Sequence, residues 1–279
     1  MELIRKKKEE ILKINQKGEI GYLTFPAFEQ TGVVEHLFST RCGGVSEGIF
    51  GTMNLSYTRG DKKEAVDENY RRIAEVLGCE PADIVCSDQT HTTNIRKVTK
   101  ADCGKGVVYE KDYTDVDGLI TDEVGIALAT FYADCVPLYF VDPKKRVIGL
   151  AHSGWRGTVG RIGAKMIAMM TEEYGCRKED ILAAVGPSIC QDCYEVSEDV
   201  ASAFRKEFGE EVLAEGKEPG KYQLDLWKAN ELAFLQAGLL PEQITVTDIC
   251  TCCNSELLFS HRASKGQRGN LGAFLKLNV

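Results

Sequence analysis

Residues 132–158 read YADCVPLYFVDPKKRVIGLAHSGWRGT, and the prediction of the fold starts from this stretch. It contains two apolar runs, 136–141 and 147–151. Short apolar runs of this length predict buried strands. Cys135 lies just before the first run and His152 just after the second, 17 positions apart. We therefore expect both side chains at strand ends, where a rigid scaffold can present a ligand or a nucleophile.

A glycine-bracketed turn follows His152 and carries Arg156. Residues 159–174 then show the apolar spacing of a helix, with Ile162 and Met166 among the inward positions. Free backbone N–H groups and the helix dipole both favour negative charge at a helix N-terminus. The sequence therefore predicts an anion site in this turn.

Elsewhere, strand-like and helix-like segments alternate, which predicts an α/β or α+β fold. Strands are predicted at 22–28, 33–39, 126–131, 181–185, 244–249 and 273–277, and helices at 61–77, 200–208 and 226–237, the last with Asp225 as its N-cap. Residues 1–20 are charged and weakly periodic, and two interpretations remain open for them. They form either a frayed helix or the first arm of a hairpin that turns at residues 16–18.

Composition excludes several classes of protein. The chain has 279 residues, with 34 basic and 42 acidic side chains and a formal charge of −8, which argues against a broad nucleic-acid-binding surface. The sequence lacks the apolar runs of a membrane span or a secretory signal, which indicates a cytoplasmic protein with no membrane partner. Eleven cysteines, an odd number, indicate reduced thiols with some metal or catalytic use.

Only four histidines are present, and this number restricts the chemistry. A multicopper centre needs more imidazole ligands than four histidines supply. The H-x-E and P-C-x-x-C signature of zinc nucleobase deaminases is missing, and so is the G-x-S-x-G elbow of serine hydrolases. The candidates that remain are His91, Cys135 and His152.

Ten short motifs occur along the chain in an order that is specific in combination. They are STRxGGVS at 39–46, NL at 54–55, QTH at 89–91, DGL at 117–119, ADCVPL at 133–138, HSGWRGT at 152–158, GPSI at 186–189, CYEV at 193–196, CT at 250–251 and FSHR at 259–262. On these motifs, which span roughly residues 20–277, the sequence resembles the laccase-domain, YfiH-like family of bacterial purine nucleoside phosphorylases, once described as polyphenol oxidases.

The resemblance implies one α+β domain over residues 1–279, a four-layer α/β/β/α sandwich with mixed sheets and a variable segment at 1–20. It also implies a zinc ion held by His91, Cys135 and His152, with copper as a substitute. The implied substrates are inorganic phosphate and the purine nucleosides adenosine, inosine and S-methyl-5′-thioadenosine, with adenosine deamination as a side activity. Monomer and homodimer both remain open.

Further site residues follow from the same motifs. Arg41, Arg156 and Arg262 are expected to contact phosphate or the sugar, because a guanidinium matches phosphate oxygens with two donors. Asn54 and Gln89 are expected to bind substrate. The acid for the departing base is Asp134 or His261, although Asp134 can instead orient a ligand. A zinc-bound water rather than a redox cycle is expected to serve both reactions.

Some features qualify these expectations. The glycine-rich loop around Arg41 is favoured as a simple turn on its spacing alone. The family commonly has Ala where Ser153 stands, and a second Arg where this chain has Ala263. The second difference removes a charge that could contact phosphate, for which Lys265 or Arg268 would have to compensate.

Two other functions compete with the phosphorylase. Cys135 can be a thiolate nucleophile with His91 or His152 as its base, in a hydrolase of an amide or a cell-wall precursor. In a binding module, by contrast, four protein ligands would close a zinc site that only holds the fold. Three ligands from distant segments favour an open, catalytic site.

The carboxyl-terminal half holds a second group of cysteines. Cys190-x-x-Cys193 with Cys250-x-Cys252 has ligand spacing suited to a structural zinc, and Cys253 lies next to them. Reduced thiols at strand ends are the favoured interpretation, since no knuckle residues surround them.

Overall fold

A computed structural model describes residues 2–278. Within them, fifteen strands are β1 Lys13–Lys17, β2 Ile20–Thr24, β3 Val34–Ser39, β4 Ile84–Cys86, β5 Ile95–Lys97, β6 Gly118–Thr121, β7 Ala127–Tyr132, β8 Val136–Asp142, β9 Val147–Ser153, β10 Leu182–Val185, β11 Glu195–Ser197, β12 Leu213–Glu215, β13 Lys221–Leu224, β14 Ile244–Val246 and β15 Leu271–Leu277. Seven α-helices in the same residues are α1 Pro26–Glu29, α2 Lys63–Leu77, α3 Trp155–Val159, α4 Ile162–Tyr174, α5 Glu198–Phe208, α6 Leu226–Gln236 and α7 His261–Ser264.

The first six-stranded sheet has the order β1-β2-β3-β15-β7-β4. Its centre is β15, the last strand of the chain, which pairs antiparallel with both β3 and β7. At one edge, β4 runs parallel to β7. Because β15 closes the centre of this sheet, the sheet is complete only when the whole chain has folded.

The second six-stranded sheet has the order β14-β10-β8-β9-β6-β5. Strands β8 and β9 form its central antiparallel pair over seven residue pairs. The residues of both strands are buried throughout, as expected for strands covered on both faces. A third sheet, β11-β13-β12, is small and packs against α5.

The two large sheets contact each other through β7 and β15 on one side and β9 on the other. Two tyrosine hydroxyl groups also join them: Tyr139 donates to the Leu37 carbonyl at 3.0 Å, and Tyr132 contacts the Ala151 carbonyl at 3.0 Å. Buried hydroxyl groups of this kind must find partners, so each tyrosine fixes the alignment of the sheets.

Helices pack against both large sheets. In α2, Val66, Tyr70, Ile73 and Leu77 are buried at helical spacing, and the helix ends at Gly78 in the left-handed conformation. It contacts β3 of the first sheet, whereas α4 and α6 contact strands of the second. The α+β class and the mixed sheets are therefore confirmed, and the strict four-layer order stays a prediction.

The structure refines several sequence predictions. The hairpin alternative for the amino-terminal segment is correct, since β1 pairs with β2. The predicted strand at 22–28 ends at Thr24, because Pro26 begins a short helix. The predicted helix at 159–174 corresponds to α4, which begins at Ile162, and Arg161, with a left-handed φ of 58°, separates it from the shorter α3. The five-residue α3 occupies the turn that was predicted to bind an anion.

Candidate metal centre and cleft

The pairing of β8 with β9 brings the two central candidates together. Pro137 lies opposite His152 in the antiparallel register, and Cys135 immediately precedes the first residue of β8. A hairpin returns the chain to its starting edge, so a Cys before one strand and a His at the end of the next become neighbours. His152 is buried and Cys135 is half-buried.

Asp117 connects these strands to the third candidate. Its carboxylate, which is fully buried, accepts hydrogen bonds from the backbone N–H groups of Thr90, His91 and Thr92 at 2.9–3.1 Å. It also bonds His152 Nδ1 at 2.7 Å. One carboxylate thus fixes the loop that carries His91 and the ring orientation of His152. The DGL motif at 117–119 contains Asp117, but its spacing gives no indication of this role.

The ligand atoms of His91, Cys135 and His152 all lie within 4.8 Å of one another. His91 Nε2 is 3.9 Å from Cys135 Sγ. Because Nδ1 of His152 faces Asp117, its Nε2 is left free to coordinate a metal, the arrangement common among histidine ligands. Two imidazoles and a thiolate are donors that zinc accepts, and three protein ligands leave one position open. The residues therefore fit a catalytic metal.

Gly154 leaves the space that this group needs. A Cβ atom at this position would lie 2.7 Å from His91 Cδ2 and 3.4 Å from Cys135 Sγ. Its φ of −71° is open to any residue, so the requirement for glycine is purely steric. Strain lies elsewhere: His91 and Asp134 have φ values of 68° and 88°. Non-glycine residues in such conformations concentrate at functional sites.

The three groups also share charge. Burial would raise the pKa of the Cys135 thiol, but His152 and His91 outweigh burial and lower it to about 6. Burial would likewise lower the pKa of His152, but the Cys135 sulfur and Asp117 raise it to about 9. Without a metal, the pair is therefore a thiolate and an imidazolium at neutral pH, and the thiolate is the form that coordinates zinc.

Asp134 has both carboxylate oxygens occupied by protein groups. Oδ1 accepts from the Thr251 hydroxyl at 2.7 Å, and Oδ2 accepts from the Arg262 backbone N–H at 2.7 Å. The Arg262 guanidinium donates to the carbonyl groups of Cys193 and Glu195. Asp134, which immediately precedes Cys135, and Arg262 therefore hold neighbouring loops together. Neither side chain lines the cleft that is described in the next paragraph.

His91, Cys135 and His152 line one wall of a cleft of about 1090 Å³. Its other walls come from residues of the segments 55–63, 86–90, 106–114 and 268–270. The volume is slightly larger than that of a typical small-molecule site. The metal-capable group therefore faces a cavity large enough for an organic substrate.

Of the two predicted amides, only Gln89 lines this cleft. Its amide exchanges hydrogen bonds with the backbone of Phe131, at 2.6 and 2.8 Å. Asn54 is buried and bonds the Ser56 carbonyl and the Asp61 carboxylate. Both amides thus hold neighbouring backbone in place.

The other two predicted arginines are not among the residues that line the cleft. Arg41 donates to the carbonyl groups of Gly51 and Ser255, at 2.8 and 3.1 Å. Arg156 stacks on Trp155, with its guanidinium carbon 4.3 Å from the ring centroid. The Arg41 contacts stabilise its loop, in keeping with the interpretation of that loop as a turn, whereas the Arg156 contact lies within α3.

The cationic side chains that do line the cleft are Arg59, Lys63, Lys111 and Arg268. Of these, the sequence motifs pointed only to Arg268, as a replacement for the Arg that the family has at position 263. Burial and the Arg59 charge lower the pKa of Arg268 to about 10. The Arg268 Nε atom is buried and has no hydrogen-bond partner within residues 2–278. A signal existed in the sequence, since both arginines lie beside glycines in loops, but it was weaker than the family motifs.

Comparison with known proteins identifies the family. Residues 35–278 match the family described as multi-copper polyphenol oxidoreductase laccase. The chain belongs to this family.

Family members with close similarity carry more specific names. The purine nucleoside phosphorylase YlmD of Geobacillus stearothermophilus is 40% identical over 265 residues, which cover 94% of this chain and 96% of the relative. The protein of the same name from Bacillus subtilis is 39% identical over 240 residues, which cover 85% and 86%. The resemblance stated from the sequence motifs is thereby confirmed.

Solved structures of the family share the fold. The crystal structure of YlmD from Geobacillus stearothermophilus matches with a TM-score of 0.87 at 38% identity, and the alignment covers 95% of this chain and 99% of that one. The Bacillus licheniformis hypothetical protein YfiH matches with a TM-score of 0.89 at 33% identity over the same shares. Within residues 2–278, helices of the length and apolarity needed to cross a membrane are absent.

Proposed function

We propose that this protein is a purine nucleoside phosphorylase that acts on adenosine, inosine and S-methyl-5′-thioadenosine, with adenosine deamination as a side activity. The observation that carries the proposal is the three-donor group His91, Cys135 and His152 on the wall of a substrate-sized cleft. The names of the similar family members support the same reaction class.

The donor group is proposed to bind one zinc ion, which copper can replace. Zinc in such a site supplies Lewis-acid chemistry, including the activation of water. The protein contributes the positions of the donors: Asp117 orients His152 and holds the His91 loop. Gly154 leaves room beside both His91 and Cys135.

Phosphate is proposed to bind at Arg268 and Arg59. Two guanidinium groups close enough to lower a pKa repel each other, and an anion between them relieves that repulsion. The unpartnered Nε of Arg268 gains a charge-assisted hydrogen bond when a phosphate oxygen approaches. This pair supports the role better than Arg41, Arg156 or Arg262, whose contacts are with the protein backbone or a tryptophan ring.

The nucleoside base is proposed to stack on aromatic side chains of the cleft. Phe131 lines the wall beside the donor group, and Tyr109 lies at the rim with 64% of its surface exposed. Stacking of a base on an aromatic ring contributes about 1–3 kcal/mol. The exposed ring of Tyr109 can therefore bury surface area against the base when the substrate binds.

Protonation of the departing base needs a donor that faces the cleft. Asp134 is proposed to be a positioning residue, because both of its oxygens already accept hydrogen bonds. Burial and the Arg268 charge lower the pKa of His261, which favours its neutral ring, and His261 is not among the residues that line the cleft. Neither Asp134 nor His261 is therefore proposed as the acid that protonates the departing base.

The test measures free base from inosine, and inosine from adenosine, with and without phosphate. We expect base release to require phosphate, and Cys135→Ser to lose the metal bound by His91, Cys135 and His152 together with both activities. Turnover that depends on oxygen would exclude the proposal. If His152→Ala abolished deamination but left phosphorolysis intact, the two reactions could not share one site.

One observation favours a cysteine-dependent hydrolase as the second candidate. Cys135, His152 and Asp117 are arranged as nucleophile, base and orienting carboxylate. Alkylation separates the two functions, because a coordinated thiolate is protected. We expect iodoacetamide to label Cys135 only after a chelator has removed the metal. Rapid labelling of protein that retains its full metal content would favour the hydrolase.

A further inference from the structure

Four cysteines outside the cleft form a second group of potential ligands. Cys190 and Cys193 lie in the turn after β10, and Cys250 and Cys253 lie in the turn that follows Ile249. A parallel bridge between Ser188 and Cys250 holds the two turns side by side. As a result, the four Sγ atoms lie within 4.8 Å of one another.

One of the four sulfurs, Cys250 Sγ, accepts hydrogen bonds from the backbone of both turns. The backbone N–H of Cys253 donates to Cys250 Sγ at 3.4 Å, and the N–H of Cys190 donates to the same sulfur at 3.2 Å. These two hydrogen bonds come from both turns, so they fix the position of the Cys250 sulfur relative to the other three. Both pairs have C-x-x-C spacing, so each turn presents two sulfurs on one side.

We propose that Cys190, Cys193, Cys250 and Cys253 bind one structural zinc ion. A tetrahedral zinc with Zn–S bonds of about 2.3 Å places its sulfurs about 3.8 Å apart. The Cys193 and Cys253 sulfurs are 3.6 Å apart, and no pair in the group exceeds 4.8 Å. The sulfurs therefore need to move little to coordinate a single ion. The sequence pattern had paired Cys250 with Cys252, and the structure replaces Cys252 with Cys253.

One cation near such a site is Lys6, which also forms an ion pair with Asp192. Zinc with four thiolates carries a net charge of −2, which burial makes costly unless a cation is near. Lys6 comes from the amino-terminal segment, whose backbone N–H bonds the Asp248 carbonyl at 2.7 Å. The pKa of Lys6 is raised first by its hydrogen bond to Asp192 and further by the sulfurs of Cys190 and Cys253.

Other states of the four thiols fit the geometry less well. A disulfide needs sulfurs about 2.05 Å apart, whereas all eleven cysteines are free. An iron–sulfur cluster must hold several iron atoms between its cysteines, and sulfurs this close leave room for one ion. A reduced, empty group would leave two half-buried and two buried thiols in mutual contact with no bound ion.

The site would stabilise loops next to the first metal centre. Thr251, between Cys250 and Cys252, donates to Asp134, and the carbonyl of Cys193 accepts from the Arg262 guanidinium. Asp134 immediately precedes Cys135. Zinc at the four cysteines is therefore expected to raise the melting temperature and to keep Asp134 in place, whatever reaction the cleft performs.

Zinc content per chain tests the proposal without measuring activity. We expect two zinc ions in the wild-type protein and one in Cys253→Ser. Cys252→Ser, the neighbouring control, and Cys79→Ser, a distant one, should both retain two. Cys135→Ser should retain one, which shows that the second site binds zinc independently of the proposed cleft chemistry, and the double variant Cys135→Ser/Cys253→Ser should retain none.

A second measurement covers variants that fail to fold. Cobalt loaded into folded Cys135→Ser protein should give intense thiolate-to-metal charge transfer and a tetrahedral visible spectrum. The proposal is overturned if that protein binds neither zinc nor cobalt, or if its cobalt spectrum shows no thiolate ligation. It is also overturned if Cys253→Ser retains two zinc ions, or if Cys252→Ser loses as much zinc as Cys253→Ser.

Discussion

Replacement of Gly154 by alanine adds one methyl group beside the candidate metal ligands. The backbone at this position, with φ of −71° and ψ of 176°, accepts alanine without strain. The new Cβ atom would lie 2.7 Å from His91 Cδ2. His91 belongs to a loop and not to the hydrophobic core. The substitution therefore perturbs the position of a ligand while it leaves the fold intact.

The size of the effect follows from that distance. Carbon atoms in contact prefer a separation of about 3.7 Å, so the His91 ring must move by about 1 Å. A displacement of this size at a catalytic group can cost about 100-fold in rate. Loss of ligand orientation typically lowers metal affinity by about 10- to 100-fold. We expect losses in this range for both zinc affinity and kcat/KM, with little change in Tm.

Zinc affinity is measured by competition with a chromophoric chelator, and kcat/KM by phosphate-dependent release of base from inosine. Gly157→Ala is the matched control, because its Cβ would lie 3.4 Å from the nearest atom, the His152 carbonyl oxygen. The control should retain zinc affinity and activity near the wild-type values. Wild-type zinc affinity in Gly154→Ala would refute the reasoning, since the methyl group must then fit without displacing a ligand.

Three further predictions concern single side chains. Asp117→Asn should weaken zinc binding about 10- to 100-fold, since the carboxylate that orients His152 is lost; unchanged affinity in the same competition assay would contradict this. Arg268→Ala should raise the phosphate KM about 10- to 100-fold and leave the nucleoside KM nearly unchanged, because a hydrogen bond to a charged group contributes about 1.5–3 kcal/mol; initial rates at varied phosphate decide. Burial lowers the pKa of His36 to about 3, so the folded protein resists its protonation while the unfolded chain gains a proton below about pH 6.5. Stability should therefore fall by roughly 2 kcal/mol between pH 6.5 and 5 from this group alone; urea unfolding of His36→Gln should lack that part of the pH dependence, and an equal dependence would exclude the assignment.

Local pattern was enough to place the central strands and two members of the donor group. The apolar runs after Cys135 and before His152 correspond to β8 and β9 within two residues at each end. Strands covered on both faces must be apolar along their whole length, so their boundaries are visible where polar residues begin. The hairpin that joins them is short, and the proximity of Cys135 and His152 follows from it.

Groups that long-range contacts bring together were not visible in the pattern. Asp117 bonds residues 25 to 35 positions away along the chain, and no local spacing distinguishes it from other aspartates. The same holds for Arg268, whose role depends on its closeness to Arg59. Both contacts exist only after strands distant in sequence have paired.

The four-cysteine group shows most directly what the sequence indicates by itself and what only the tertiary structure decides. The C-x-x-C spacing of Cys190 and Cys193 is local, and the sequence alone shows that this spacing suits two zinc ligands. Whether Cys252 or Cys253 completes the group depends on the direction in which the second turn faces the first. The pairing of Ser188 with Cys250 sets that direction. Backbone hydrogen bonds between segments 60 residues apart thus choose the ligand, and linear spacing carries no information about them.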